Sequence, residues 1–238
     1  YLGDASTNDI VELYSIPVAG PAAARVKLNK PLVPGGNVEK ARITADSNWV
    51  IYRADQDTDG VFEIYRVPID GPATSGEKLS DTLVPGGSVE DFEVSPDGNW
   101  VAYVADLEVD EELRLYSVPV AGSAMNTRNL NHSLAANEDV HVPLEISPDS
   151  RFVAYRADDI NIFSFSQRLN LYSAPIDGVG NPVKINGPSV NNGEVRVFDF
   201  APDSRHIVYI ADQDTDEVNE LYVTFHKPAA AGSWEDFR

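Results

Sequence analysis

The chain has 238 residues, 42% of them apolar, and its 38 acidic against 18 basic residues give a formal charge of −20. That excess argues against charge-driven binding to nucleic acid or an anionic membrane, which are themselves polyanions, and makes cations the natural partners. There is no cysteine, which excludes disulfides and thiolate metal sites, and no apolar run approaches the roughly 20 residues of a membrane span. A soluble chain without membrane insertion is expected, any export signal having already been removed.

Self-similarity organises the sequence. "ELYSIPVAG" at Glu12 returns as "EIYRVPIDG" at Glu63, "RLYSVPVAG" at Arg114, "NLYSAPIDG" at Asn170 and, decayed, "ELYVTFHKP" at Glu220. The shared tyrosines, Tyr14, Tyr65, Tyr116, Tyr172 and Tyr222, are spaced by 51, 51, 56 and 50 residues. A second marker, "VSPDGNWVAYVAD" from Val94, recurs from Ile43, Ile146 and Phe200; a third, "KLN" at Lys27, returns at Lys78, Asn129 and Lys184. The units run over residues 1–36 (partial), 37–87, 88–138, 139–193 and 194–238 (partial). "YLGDASTNDIVELY" from Tyr1 aligns without gaps to "YRADQDTDGVFEIY" from Tyr52, so the first unit opens inside its second strand. The last runs out after its third. An excerpt from a longer array and a ring closed by pairing its two ends both fit that pattern.

Within a unit the pattern is four short β-rich runs joined by turn residues, with no helical periodicity. Around the third unit the runs are a short one near Leu79, Asp91 to Ser95, Trp100 to Ala105 and Leu113 to Val120. In "SPDG", Pro96 presets φ, Asp97 can bond its own backbone, and Gly98 tolerates positive φ. "WVAYVA" is apolar without alternation, as in a strand covered on both faces. Trp49 and Trp100 hold equivalent strand positions and read as core. A period of about 50 residues with four antiparallel strands predicts an all-β propeller of four-stranded blades. The "SPDG…YVAD…ELYSVPVAG" unit resembles the TolB-type propeller repeat, also found in the propeller domains of prolyl oligopeptidase-like peptidases, over nearly the whole chain. That resemblance implies fold; such propellers serve binding, gating and scaffolding alike.

The loop joining the second and third strands carries the chemistry. In the first unit it offers Asp4, Ser6, Asn8 and Glu12, oxygen at each candidate position but two charges fewer than the next copy. In the second, Asp55, Asp57 and Asp59 alternate, Gly60 allows a sharp turn, the carbonyl of Val61 can add an oxygen, and Glu63 closes the set. Six or seven oxygens around a hard cation suit Ca²⁺. The array resembles the acidic loops of integrin-alpha-type propellers, which implies a structural calcium ion. The third unit has Asp106, Glu108 and Asp110 but puts Arg114 where the closing acid should be, so a salt bridge is expected to replace metal. The fourth, "DDINIFSFSQRLNLY", carries four extra residues, loses the pattern, and places Phe163 and Phe165 for packing or contact. The fifth restores Asp212, Asp214, Asp216 and Glu220, with Glu217 in the glycine position at a backbone cost of about 1 kcal/mol. The Asp55 loop is thus expected to be the stronger of the two full copies.

His132, His141, His206 and His226 sit at unrelated places in the repeat, and no serine stands in a Gly-x-Ser-x-Gly setting. Glu111 and Glu112 read as loop charges, and "NHS" at Asn131 is a lone glycosylation sequon. The expected function is that of a secreted, cell-surface or periplasmic non-catalytic module that binds Ca²⁺ structurally and contacts a protein or surface partner. The rivals are the propeller portion of a larger hydrolase and a subunit that self-associates through incomplete end blades.

Overall fold

Apolar residues on both faces of a strand require cover on both sides, and stacking sheet on sheet supplies it. The computed structural model describes residues 1–4, 8–161 and 166–225. Its five antiparallel sheets follow the repeat. The first contains β1 (Leu2–Gly3), β2 (Glu12–Ser15) and β3 (Val26–Lys27); the second contains β4 (Val38–Ile43), β5 (Trp49–Ala54), β6 (Glu63–Pro68) and β7 (Glu77–Lys78). The third comprises β8 (Val89–Val94), β9 (Trp100–Ala105), β10 (Arg114–Pro119) and β11 (Arg128–Asn129). The fourth comprises β12 (Val140–Ile146), β13 (Phe152–Asn161), β14 (Ser166–Pro175) and β15 (Val183–Lys184), and the fifth β16 (Val195–Phe200), β17 (His206–Ala211) and β18 (Glu220–Phe225). Within each sheet, consecutive strands are hydrogen-bonded neighbours. Three single-turn 3₁₀ segments, at 22–24, 73–75 and 124–126, are the helical elements among the described residues.

The outermost strand lies just before the run expected near Leu79 and is only two residues long. The extra residues of the fourth unit lengthen β13 and β14 to ten residues each, so the hairpin grows while the blade keeps its register. Phe163 and Phe165 lie outside the described residues.

Four apolar clusters fill the four junctions between successive sheets. At the second, Ile51, Ile64 and Leu79 of one sheet meet Val89, Phe92 and Tyr103 of the next, all fully buried. Tyr52, Tyr103, Tyr155 and Tyr209 take equivalent places and pair with the tyrosine opposite on the third strand, with ring centroids 5.3 to 5.6 Å apart. Such pairs add about 0.5–1.5 kcal/mol beyond area burial. Trp49 and Trp100 are half-buried against these clusters, each under a guanidinium, from Arg66 and Arg128.

Polar contacts also link one sheet to the next. The Asp97 N–H donates to Ser150 Oγ and the Asp149 N–H to Ser204 Oγ, both at 2.9 Å. Ser150 and Ser204 hold the left-handed position of the "SPDG" turn, where Gly98 stands in the third unit. On the innermost strands Lys40 reaches Asp91 and Glu93 at 2.6 and 2.8 Å.

Candidate functional site

In the second to fifth units the first aspartate of the acidic loop is buried and turned inward. Asp55 accepts the Asn37 N–H at 2.5 Å on one oxygen and the Gly60 N–H at 3.0 Å on the other. Asp106 does the same with Ser88 and Glu111, and Asp212 with Glu194 and Glu217. Asp158 accepts from Asp139 at 3.0 Å and lies 3.0 Å from His141 Nε2. Asp55, Asp106 and Asp212 thus tie the loop after the second strand to the start of the first strand of their own sheet, and Asp158 makes the same link from within the longer β13. Burial opposes the charge on Asp212, yet the N–H groups of Glu194 and Glu217 and the nearby Arg196 hold its pKa below the ordinary value.

The residue that donates to this aspartate also accepts from the preceding sheet. Asn37 Oδ1 receives the Val11 N–H at 2.8 Å, Ser88 Oγ the Phe62 N–H at 3.2 Å, and Asp139 Oδ1 the Leu113 N–H at 2.8 Å. A second series caps the third strands: Asn29, Ser80, Asn131 and Asn186 accept from Leu13, Ile64, Leu115 and Leu171. Asn131, the sequon residue, also donates through Nδ2 to the His132 carbonyl, so its amide is already engaged.

The other acids of the Asp55 loop diverge. Asp59 is exposed and rests over Gly35, whose φ is +94°. A Cβ there would stand 2.6 Å from Asp59 Oδ1, and Gly86 has the same relation to Asp110. These glycines are needed for positive φ and for the close approach of a carboxylate. Asp57 and Glu63 turn together toward the outermost strand. Lys78 Nζ lies 2.7 Å from Glu63 and 3.7 Å from Asp57, and Tyr65 donates its hydroxyl to both carboxylates. Burial, then the charges of Glu63 and Asp57, push the Tyr65 pKa far up. The Val61 N–H closes the loop on Thr58 O at 3.0 Å. Among the described residues no group of three or more Asp, Glu or His side chains is gathered as a metal cage.

The remaining copies vary on this plan. In the first unit Glu12 is buried and paired with Lys27, and Tyr14 donates to it at 2.6 Å. Asp4 and Asn8 are exposed, and Ser6 lies outside the described residues. In the third unit Arg114 pairs with Glu112 at 2.6 Å and approaches Asp139 at 3.8 Å, so its salt bridge lies beside the Asp106 loop. The position of Lys27 and Lys78 is occupied there by Asn129, which faces Tyr116 in the sheet as the lysines face Tyr14 and Tyr65. Glu with Lys, then Arg with Asn, is a compensating exchange visible in the sequence alone. In the fifth unit Tyr222 donates to Glu220 at 2.9 Å, and burial with the carboxylates of Glu220 and Asp214 raises its pKa. No ammonium stands beside Asp214 and Glu220 among the described residues, and Asp214, Asp216 and Glu220 are all exposed.

On the innermost strands Arg42, Glu93, Glu145 and Asp199 share one register position. Arg42 binds Glu93 at 3.2 Å. Glu145, half-buried beside Asp199, has its pKa pushed up to about 7, by burial first and the Asp199 charge second. The histidines act locally: His132 stacks on Tyr172, His206 binds Asp203, and His141, beside Asp158, has its pKa raised. His226 lies outside the described residues. A cleft of about 810 Å³ opens between the first and second sheets, lined by Tyr14, Leu28, Ala41, Ile43 and Val50 among others.

No protein-family profile matches the chain, and no curated protein is similar to it in sequence. Solved structures are similar in fold. A Mycobacterium tuberculosis puromycin-hydrolyzing peptidase is 15% identical, with TM-score 0.59 over 92% of this chain and 34% of its own. A puromycin hydrolase is 17% identical, with TM-score 0.58 over 94% and 35%, and oligopeptidase B from Leishmania major is 12% identical, with TM-score 0.59 over 88% and 28%. The regions matched are propeller domains. At these identities the likeness shows the fold: five sheets of an all-β propeller, spanning about a third of the length of those peptidases.

Proposed function

We propose that the chain is a non-catalytic propeller module that acts by contact, and that the propeller portion of a peptidase-like hydrolase is the setting that fits it best. The observation that supports this is the superposition of about nine-tenths of the chain on roughly a third of each of several peptidases. The polar network agrees with it: the repeated Asp, Asn and Ser side chains are spent joining loops to strands and sheet to sheet, which suits a rigid scaffold that positions or screens access to something else. The expected experiment is an assay of the pure chain against puromycin and peptide amides. No turnover is expected, and turnover abolished by one substitution would overturn the reading. A Gly-x-Ser-x-Gly domain encoded beside this chain would favour the hydrolase setting; further TolB-type repeats or an anchor would favour a secreted or cell-surface module contacting another protein.

Calcium enters as a second reading, with the order of the two sites changed. In the Asp55 loop Lys78 already neutralises Glu63 and Asp57, so a cation has to displace it. In the last loop Asp214 and Glu220 converge on one tyrosine hydroxyl with no lysine beside them among the described residues, a carboxylate pair that a hard cation would relieve.

A further inference from the structure

In the second unit an ion pair fills the space between the acidic loop and the outermost strand. Glu63 and Lys78 lie 2.7 Å apart, Asp57 stands 3.7 Å from the same ammonium, and the Tyr65 hydroxyl donates to both carboxylates. In the third unit those four places hold Arg114, Asn129, Glu108 and Tyr116. Arg114 is held against one wall, where its guanidinium donates to the Leu113 and Glu138 carbonyls at 3.0 and 2.7 Å and to Glu112 at 2.6 Å. Asn129 is too short to replace a lysine. What remains is a polar cleft of about 430 Å³ between the acidic loop and the residues that follow β11, within the size range of small-molecule sites.

The walls keep unused donors and acceptors. The Tyr116 hydroxyl is buried without a hydrogen-bond partner, whereas Tyr14, Tyr65 and Tyr222 each donate to the glutamate two residues before them. Glu108 and Arg114, both in the wall, bear on that hydroxyl with their charges, and Glu108 is exposed, so a turn of its side chain opens the hydroxyl to a ligand oxygen. Asn129 accepts the Asn131 N–H at 3.1 Å on its oxygen, which leaves its Nδ2 to donate. Asn131 is committed at both ends, to the Leu115 N–H and the His132 carbonyl, and forms a fixed part of the wall. His132 is stacked on Tyr172 at 4.1 Å, and burial holds its pKa below the ordinary value, so the ring is neutral near pH 7.

This mixture selects a class of ligand. The guanidinium opposes a metal ion, and no group of three acids or histidines gathers there among the described residues. An anion meets the carboxylates of Glu108 and Glu112, with Asp139 3.8 Å from Arg114 behind them. A neutral molecule rich in hydroxyls suits both kinds of wall group, since each hydroxyl donates and accepts. We propose that the cleft binds a neutral saccharide, whose hydroxyls donate to Glu108 and Glu112 and accept from Asn129 and Tyr116, while Val109 and Leu134 meet its C–H surface. The exchange of Glu and Lys for Arg and Asn, which empties this space in the third unit alone, is what creates the site. It does not depend on the hydrolase setting, because every group involved belongs to this chain.

Saturation-transfer NMR on the full chain tests this, with methyl α-glucoside, methyl β-galactoside, N-acetylglucosamine and cellobiose as neutral probes and glucosamine and glucuronate as charged counterparts. At least one neutral probe should bind with a Kd on the order of 1 mM, more tightly than either charged one. Tyr116→Phe should weaken that binding about three- to tenfold and leave the Tm unchanged, because the hydroxyl has no partner in the free protein. Arg114→Glu combined with Asn129→Lys rebuilds the ion pair of the second unit and should abolish binding. Asn129→Leu, which disturbs fewer contacts, should weaken it even if that double variant folds poorly. The proposal is overturned if no neutral probe binds at about 50 mM, if a charged counterpart binds more tightly, or if binding survives these substitutions unchanged, which would place the sugar elsewhere on the chain.

Discussion

The same six residues, "ADQDTD", begin the acidic loop of the second unit and that of the fifth. At the first aspartate the two loops agree: Asp55 and Asp212 each accept one N–H from the start of the first strand and one from the far side of the loop. They part at the closing glutamate. Glu63 is buried against Lys78 of the outermost strand, whereas Glu220 is exposed and shares the Tyr222 hydroxyl with Asp214. The comparison separates two jobs that look like one in the sequence. The first position is a structural acceptor of fixed geometry; the ninth is a charge whose role depends on what a strand 15 residues later presents to it.

Removing the shared part should have the largest effect. Asp55→Ala leaves the N–H groups of Asn37 and Gly60 without their acceptor and is expected to cost about 2–4 kcal/mol, read as a lower urea midpoint. Asp212→Ala should cost less, because the fifth sheet contacts one described neighbour where the second contacts two. Equal losses would show that sheet position does not matter.

Removing the part that differs comes next. Lys78→Met leaves Glu63 buried without a cation and should destabilise by about 1–3 kcal/mol in chelator, less than the loss for a fully buried pair because the lysine is partly exposed. Calcium should then restore part of the loss, since the competing ammonium is gone. If calorimetry detects no heat and the melt does not move, the Asp55 loop is not a cation site.

In the unaltered protein calcium should act first at the fifth unit. At a tenfold excess over Kd the gain is about 1.4 kcal/mol. Asp214→Asn should diminish it, and Asp57→Asn should not. The opposite order would restore the ranking that spacing and Gly60 suggest.

The smallest effect expected is on pH dependence. The folded-state pKa of Glu145 lies near 7, above its ordinary value of 4.5, so folding favours its protonated form. That contribution is fully present below about pH 4.5 and is lost as pH rises through 7. His141, raised beside Asp158, has the same sign: its contribution is present below 6.5 and lost as pH rises through its folded value. The melting temperature should therefore fall between pH 6 and 8, with faster hydrogen exchange in the fourth and fifth sheets than around the Lys40 and Arg42 pairs of the second. Glu145→Gln should flatten the slope.

Much of the fold was legible because periodicity survives substitution. The tyrosine spacing, the "SPDG" turns and the apolar second strands each report backbone geometry that every blade must satisfy, and even the longer fourth hairpin was visible as a spacing of 56. The loops were less legible. Three alternating aspartates have the composition of a cation site, but one of them answers a backbone N–H 18 residues earlier, and another fits over a glycine in the preceding turn. Such distant partners leave no local pattern. The Glu63–Lys78 pair did leave one, in the matched changes at Arg114 and Asn129, readable only when two markers of the repeat are compared position by position.

The outermost strands β3, β7, β11 and β15 are two residues long. A strand that short offers too few free N–H and C=O groups to template a foreign strand, so these rims are poor sites for edge-to-edge aggregation. In the fifth sheet the outer strand described is β18, six residues long and carrying Leu221, Val223 and Phe225. Pairing at that edge would bring backbone groups and apolar side chains together. Misassociation under stress should therefore begin there, and a lysine or proline placed in β18 would be the economical way to suppress it.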